Sequence, residues 1–259
     1  MSRLMSALSG FICAAFLVTT VPALLPAQVV ETIHANKGNC CPTMAAEQLA
    51  SDLQDWAQLG RYHEDDVNLL AAPAPAGRVV FMGDSITDGW KLAASFPGQP
   101  YVDRGISGQI TSQMLLRMFP DVIALHPAAM IVLAGTNDIA GNNGPETLQM
   151  IEDNLQAMTE LAQAHHIKVI LCALTPISDY MPSKQSAHRP PSDILKLNAW
   201  IRRYAAASGA GFADYYSALV DAQGMLKDGF SHDGLHPNPA GYALLAPVAS
   251  QAIEKALAP

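Results

Sequence analysis

The sequence predicts an α/β fold, a parallel sheet covered by helices on both faces, and three observations carry that prediction. Short β-type runs alternate with helical runs from Arg78 to the C-terminus. Two of those runs, Met130 to Ala134 and Val169 to Ala173, are almost continuously apolar, as strands buried on both faces are. No run pairs with its successor through a two-residue turn, and parallel strands need longer, usually helical, crossovers.

The elements follow in order. The strands are RVVFM (78–82), PYVDR (100–104), AMIVLAG (129–135), IKVILCALT (167–175) and GFADY (211–215). The helices between the last four are TSQMLLRMFPDVIAL (111–125), GPETLQMIEDNLQAMTELAQAHH (144–166) and SDILKLNAWIRRYAAASG (192–209). A long amphipathic helix closes the chain, with Asn238 as its N-cap and Pro239 in its first turn. Residues 78–259 therefore form the main domain. In a flavodoxin-like winding, with strand order 2-1-3-4-5, ligands bind beyond the carboxyl ends of the strands near the switch point. The polar segments GDS, RGISGQIT and GTND follow strands one, two and three, so this winding gathers them at one edge.

Residues 28–77 divide into an irregular arm, a helix with Leu49, Leu53, Trp56 and Leu59 at helical spacing that packs on the outside, and a Pro/Ala-rich linker, LLAAPAPAG. Residues 1–27 hold one charge, Arg3, a long apolar run, and small residues at Ala23 and Ala27. This reads as a signal peptide, with an uncleaved anchor as the alternative, and in either case the domain faces an extracytoplasmic space, periplasmic or outside the cell. A membrane is a partner only if the leader stays. The net charge of −8 and the scattered basic residues argue against nucleic acid. Of four cysteines, Cys13 lies in the leader, Cys172 reads as a buried strand thiol, and the adjacent Cys40 and Cys41 carry no functional weight.

The serine in GDSITDGW has two readings. Ser and Asp begin helices, and Ser85 also stands where a nucleophile belongs. A serine hydroxyl needs a base within hydrogen-bond reach and a third group to orient that base. Asp233 and His236, three residues apart in DGLHP just before the last helix, supply that pair. Gly108 and Asn137 can donate hydrogen bonds to a developing oxyanion, together with the backbone N–H of Ser85. Read singly, each has a plain alternative: a polar turn, a turn glycine or an Asx turn.

Taken in order, the blocks GDSIT, GISGQIT, GTND and DGLHP resemble those of the SGNH hydrolase superfamily, the GDSL-type esterases and lipases, over residues 78 to 257. The resemblance implies a three-layer α/β/α sandwich on a five-stranded parallel sheet. It also implies Ser85 as nucleophile, His236 and Asp233 as base and acid of a triad, and Ser85, Gly108 and Asn137 as an oxyanion hole, with neither metal nor cofactor. Gln109 stands where many relatives carry Asp, a change expected to alter hydrogen bonding in the pocket. The expected chemistry is hydrolysis of a small-molecule or carbohydrate ester, by a secreted esterase acting on short, chiefly acetyl, groups. The alternatives are an arylesterase, thioesterase or lysophospholipase of the same mechanism and, from another class, a noncatalytic carbohydrate-binding module. The long loop 175–193 is expected to border the pocket, with Tyr180, His188 and Arg189 as candidate substrate contacts. Trp90 either stacks on a sugar or packs under the loop.

Overall fold

The computed structural model describes residues 54–182 and 184–258. The leader, the arm, Cys13, Cys40, Cys41 and most of the helix expected around Leu49 lie outside the described residues. The first described helix, α1 (His63–Leu70), is followed by the irregular stretch expected from the Pro/Ala-rich run. Five strands follow: β1 (Val79–Gly83), β2 (Tyr101–Gly105), β3 (Ala129–Leu133), β4 (Lys168–Cys172) and β5 (Gly211–Ala213). Every pairing is parallel, in the order β2-β1-β3-β4-β5. This is the 2-1-3-4-5 winding, and it places β3 at the centre and the ends of β1, β2 and β3 side by side.

The residue types explain the layers. All five residues of β1 and of β3 are buried, and β4 is exposed only at Lys168, because helices cover both sheet faces. Between the strands run α2 (Ser85–Asp88), α3 (Leu92–Ser95), α4 (Thr111–Asp121), α5 (Thr136–Ile139), α6 (Leu148–Ala164), α7 (Pro191–Ser208), α8 (Tyr215–Leu219) and α9 (Pro239–Leu257). α4, α6 and α7 pack in succession as one layer, while α9 lies on β3, β4 and β5 and meets α3 and α8. The cap of α9 is as the sequence requires: Asn238 Oδ1 accepts from the N–H groups of Ala240 and Gly241, both at 3.0 Å. Cys172 is buried in β4, and burial raises its thiol pKa.

Two features position the site. Gly105 ends β2 directly beneath α2: a Cβ built there would lie 2.1 Å from the backbone nitrogen of Asp88, so glycine alone lets the serine helix lie against the strand. The segment before β1 is bound into the domain as well. The Tyr62 hydroxyl donates to Gly105 O, and Arg104 and Asp66 form a buried ion pair at 2.6 Å with the guanidinium over the Tyr62 ring. Burial, and next the charge of Asp103, push the Tyr62 phenol up to about 12, so it stays a donor at neutral pH.

Candidate active site

Asp84 caps α2, accepting from Ile86 N–H at 2.9 Å, and so directs Ser85 outward at the carboxyl end of β1. The Asp84 carboxyl is fully buried, its Oδ2 has no partner among the described residues, and burial raises its pKa to about 6. Ser85 Oγ lies 2.8 Å from His236 Nε2, across a separation of 151 residues. On the other side of the ring, His236 Nδ1 is 2.5 Å from Asp233 Oδ2. The second carboxylate oxygen of Asp233 accepts from Leu235 N–H at 3.0 Å, His236 N–H at 2.8 Å and Ser231 Oγ at 3.1 Å. Burial works to raise the Asp233 pKa, but the bonds from the His236 ring and the two backbone amides outweigh it and hold the carboxyl below its ordinary range. Asp233 is therefore an anion facing the imidazole, which fixes the tautomer that leaves Nε2 able to accept the serine proton.

The three candidate oxyanion donors are unspent. Neither Ser85 N–H nor Gly108 N–H has a backbone or side-chain acceptor among the described residues. Gly108 holds φ +83°, a conformation glycine adopts without penalty, and a Cβ there would meet nothing within 4 Å. Asn137 is buried; one N–H of its carboxamide is spent on Gln109 O at 3.0 Å and the other is left over. Its Oδ1 accepts from Asn142 Nδ2 at 2.9 Å and Arg189 Nη2 at 3.3 Å, which determines which way the amide faces. Such preset donors are what a developing oxyanion requires.

The remaining candidates divide. Trp90 is 3 % exposed: its ring packs on Phe81, Phe96, Tyr215 and Tyr242, and its indole N–H donates to Ser95 Oγ, so neither face is open to a sugar. Packing, not stacking on substrate, is its place. Arg189 also departs from expectation. It turns inward, 8 % exposed, to Asn137 Oδ1 and Gln185 Oε1, where the charges of the buried Asp84 and of Asp233 favour its guanidinium. Tyr180 stays half-exposed and donates to Ser231 O at 3.1 Å, on the rim beside Asp233. His188 is exposed, with no hydrogen bond to the triad residues. The loop that carries these residues does border the site: Ser178 N–H donates to Gly234 O and Gln185 Nε2 to Asp233 O. Gln109 is outside the pocket, its amide buried between Ala57 O and Arg117 Nε.

The sequence reading missed Glu146. Its buried carboxyl is pushed up to about 8, by burial first and then by the charge of Asp138, next to Asn137, and Asp138 Oδ1 accepts from both N–H and hydroxyl of Thr111. Two neighbouring buried carboxyls resist ionising together, so the pair keeps one proton at neutral pH.

Residues 81–244 match the GDSL-like Lipase/Acylhydrolase family. The chain belongs to that family. A GDSL-like lipase of known structure from Bacteroides thetaiotaomicron is 39 % identical, with TM-score 0.71, covering 78 % of this chain and all of the other. An acetylxylan esterase of Xylanibacter ruminicola is 26 % identical over 80 % of this chain, which spans about half (48 %) of that relative's length. An acetylxylan esterase from Geobacillus stearothermophilus shares the fold at 20 % identity, with TM-score 0.58 over 70 % of this GDSL-family chain and 95 % of its own.

Proposed function

We propose that this GDSL-family chain is an exported serine esterase that hydrolyses short acyl esters, chiefly acetyl, on carbohydrates. The observation that carries the chemistry is the unbroken sequence Asp233, His236, Ser85 together with three unspent donors. Ser85 Oγ attacks the ester carbonyl while His236 Nε2 takes its proton. The N–H groups of Ser85 and Gly108 and the Asn137 amide receive the charge on the carbonyl oxygen. His236 then protonates the departing alcohol, which leaves an acyl-serine. A water molecule gives its proton to His236 and attacks that ester; the carboxylic acid departs and Ser85 regains its proton.

The preference for a sugar ester is drawn from the two acetylxylan esterases among the similar proteins, and export from the apolar leader. The test is turnover of p-nitrophenyl esters of increasing acyl length and of acetylated xylan, with Ser85→Ala as blank. Acetate is expected to be fastest, with rates lost by several orders of magnitude in Ser85→Ala. Faster turnover of long acyl chains than of acetate overturns the short-acyl reading.

A further inference from the structure

The segment that precedes the family-matched residues is anchored again ahead of the buried Tyr62. Its turn at residues 55–60 is held from within by Asp55, whose carboxylate accepts from Leu59 N–H at 2.7 Å and Gly60 N–H at 2.9 Å. From outside it is held by the oxyanion side of the site. Gln113 Nε2 donates to Trp56 O at 2.6 Å and Gln109 Nε2 to Ala57 O at 2.8 Å. These bonds join the turn to the residues immediately after Gly108. Gln58 adopts φ +55°, a conformation costly for a non-glycine residue, and the Trp56 indole is left 43 % exposed although its backbone is fixed.

What this turn builds is a recess of about 200 Å3 lined by Trp56, Gln58, Ser107, Gly108, Gln113 and Asn143. It shares one wall with the candidate oxyanion hole, Gly108, and its Asn143 follows the Asn142 that steadies Asn137. No lining residue carries a charge. One aromatic side chain faces carboxamides, of which the Gln58 amide and Asn143 Oδ1 have no partner among the described residues. A carboxylate or phosphate ligand would find no cation there. A long acyl chain would find amides on most walls. An indole offers its face to the C–H side of a pyranose or furanose ring, and carboxamides exchange hydrogen bonds with neutral hydroxyls.

We propose that this recess is a subsite for a neutral sugar unit of the alcohol that bears the ester, with Trp56 as its stacking platform. The proposal rests on the carbohydrate-ester reading above, and two measurements separate their failures. In the first, kcat/KM on acetylated xylo-oligosaccharide is divided by kcat/KM on p-nitrophenyl acetate. Trp56→Ala is expected to lower this ratio about tenfold or more, and Trp56→Phe to restore most of it. An unchanged ratio, including equal losses on both substrates, overturns the subsite while leaving the carbohydrate reading in place. In the second, Ser85→Ala protein, which cannot turn over, is titrated with acetylated xylo-oligosaccharide while tryptophan fluorescence is followed. Of the three tryptophans, Trp90 is buried in the core and Trp200 is partly buried on α7, so a saturable change is expected from Trp56 and should vanish in Ser85→Ala/Trp56→Phe. Binding through Trp56 by a wild-type protein that hydrolyses no sugar ester keeps the subsite and overturns the reading on which it was argued. Absence of both binding and sugar-ester turnover overturns both.

Discussion

Glu146→Gln tests the proton shared beside the oxyanion donors. The glutamate begins from an ordinary value of 4.5 and is pushed up to about 8, by burial first and then by the charge of Asp138. A carboxyl that binds its proton more tightly when folded stabilises the fold fully below its unfolded value. That share is lost as pH rises through the folded value, so the window runs from about 4.5 to about 8. Within it one proton is worth about 1.4 kcal/mol per pH unit, so raising the pH from 6 to 8 removes on the order of 2 kcal/mol. At about 2–4 °C per kcal/mol for a domain of this size, the melting temperature falls by roughly 4–8 °C. A glutamine amide does not titrate, so the variant should lack this slope and become the more stable protein at pH 9. Thermal melts of both proteins from pH 5.5 to 9 decide the matter, because titrating groups outside the Glu146–Asp138 pair cancel in the difference. Parallel curves for the two proteins would refute the shared proton.

Two further outcomes follow from the geometry. Arg189→Met leaves Asn137 Oδ1 with Asn142 alone; kcat on p-nitrophenyl acetate should fall about tenfold with KM little changed, and adding Arg189→Met to Asn137→Ala should cost almost nothing more, since both act through one carboxamide. Full additivity in steady-state kinetics would show that Arg189 acts elsewhere. Gly105→Ala drives a Cβ into the backbone of Thr87 and Asp88, so α2 must move: a loss of about 1–3 kcal/mol in urea unfolding is expected, with a fall in kcat, and wild-type values in both would contradict the close approach.

The strands, their winding and the cap of α9 were legible because local patterns encode them: continuous apolar runs mark strands buried on both faces, and Asn-Pro marks a helix start. Three of the four polar blocks were legible because each follows a strand end, and the fourth, DGLHP, because it runs straight into the capped start of α9. What escaped the sequence is set by partners distant along the chain. Residues 54–59 read as the end of an outer helix, yet their role follows from backbone carbonyls that accept from Gln109 and Gln113, and a backbone acceptor leaves no trace in residue type. Trp90 was open to two readings because its burial is decided by Phe96, Tyr215 and Tyr242, which no local pattern brings together. Glu146 fell at the start of the expected helix 144–166 as one acid among several, and only its meeting with Asp138 makes it unusual.

The two halves of the site are held in different ways, and the chemistry gives a reason. Asn137 is locked by Gln109, Asn142 and Arg189, and Gln109 in turn by the buried Arg117, which also pairs with Asp121. Donors aimed at a charge that exists only at the transition state must be in place beforehand, because reorganising them during the reaction would forfeit their contribution. The side chains of His236 and Asp233, by contrast, are 42 % and 45 % exposed and are fixed mainly by bonds within their own loop. An acyl-serine is released only when water reaches the Nε2 side of that imidazole. On the proposed esterase reading, a firmly held, buried Asn137 carboxamide and a solvent-open His236 are thus the division that an acyl-enzyme cycle demands.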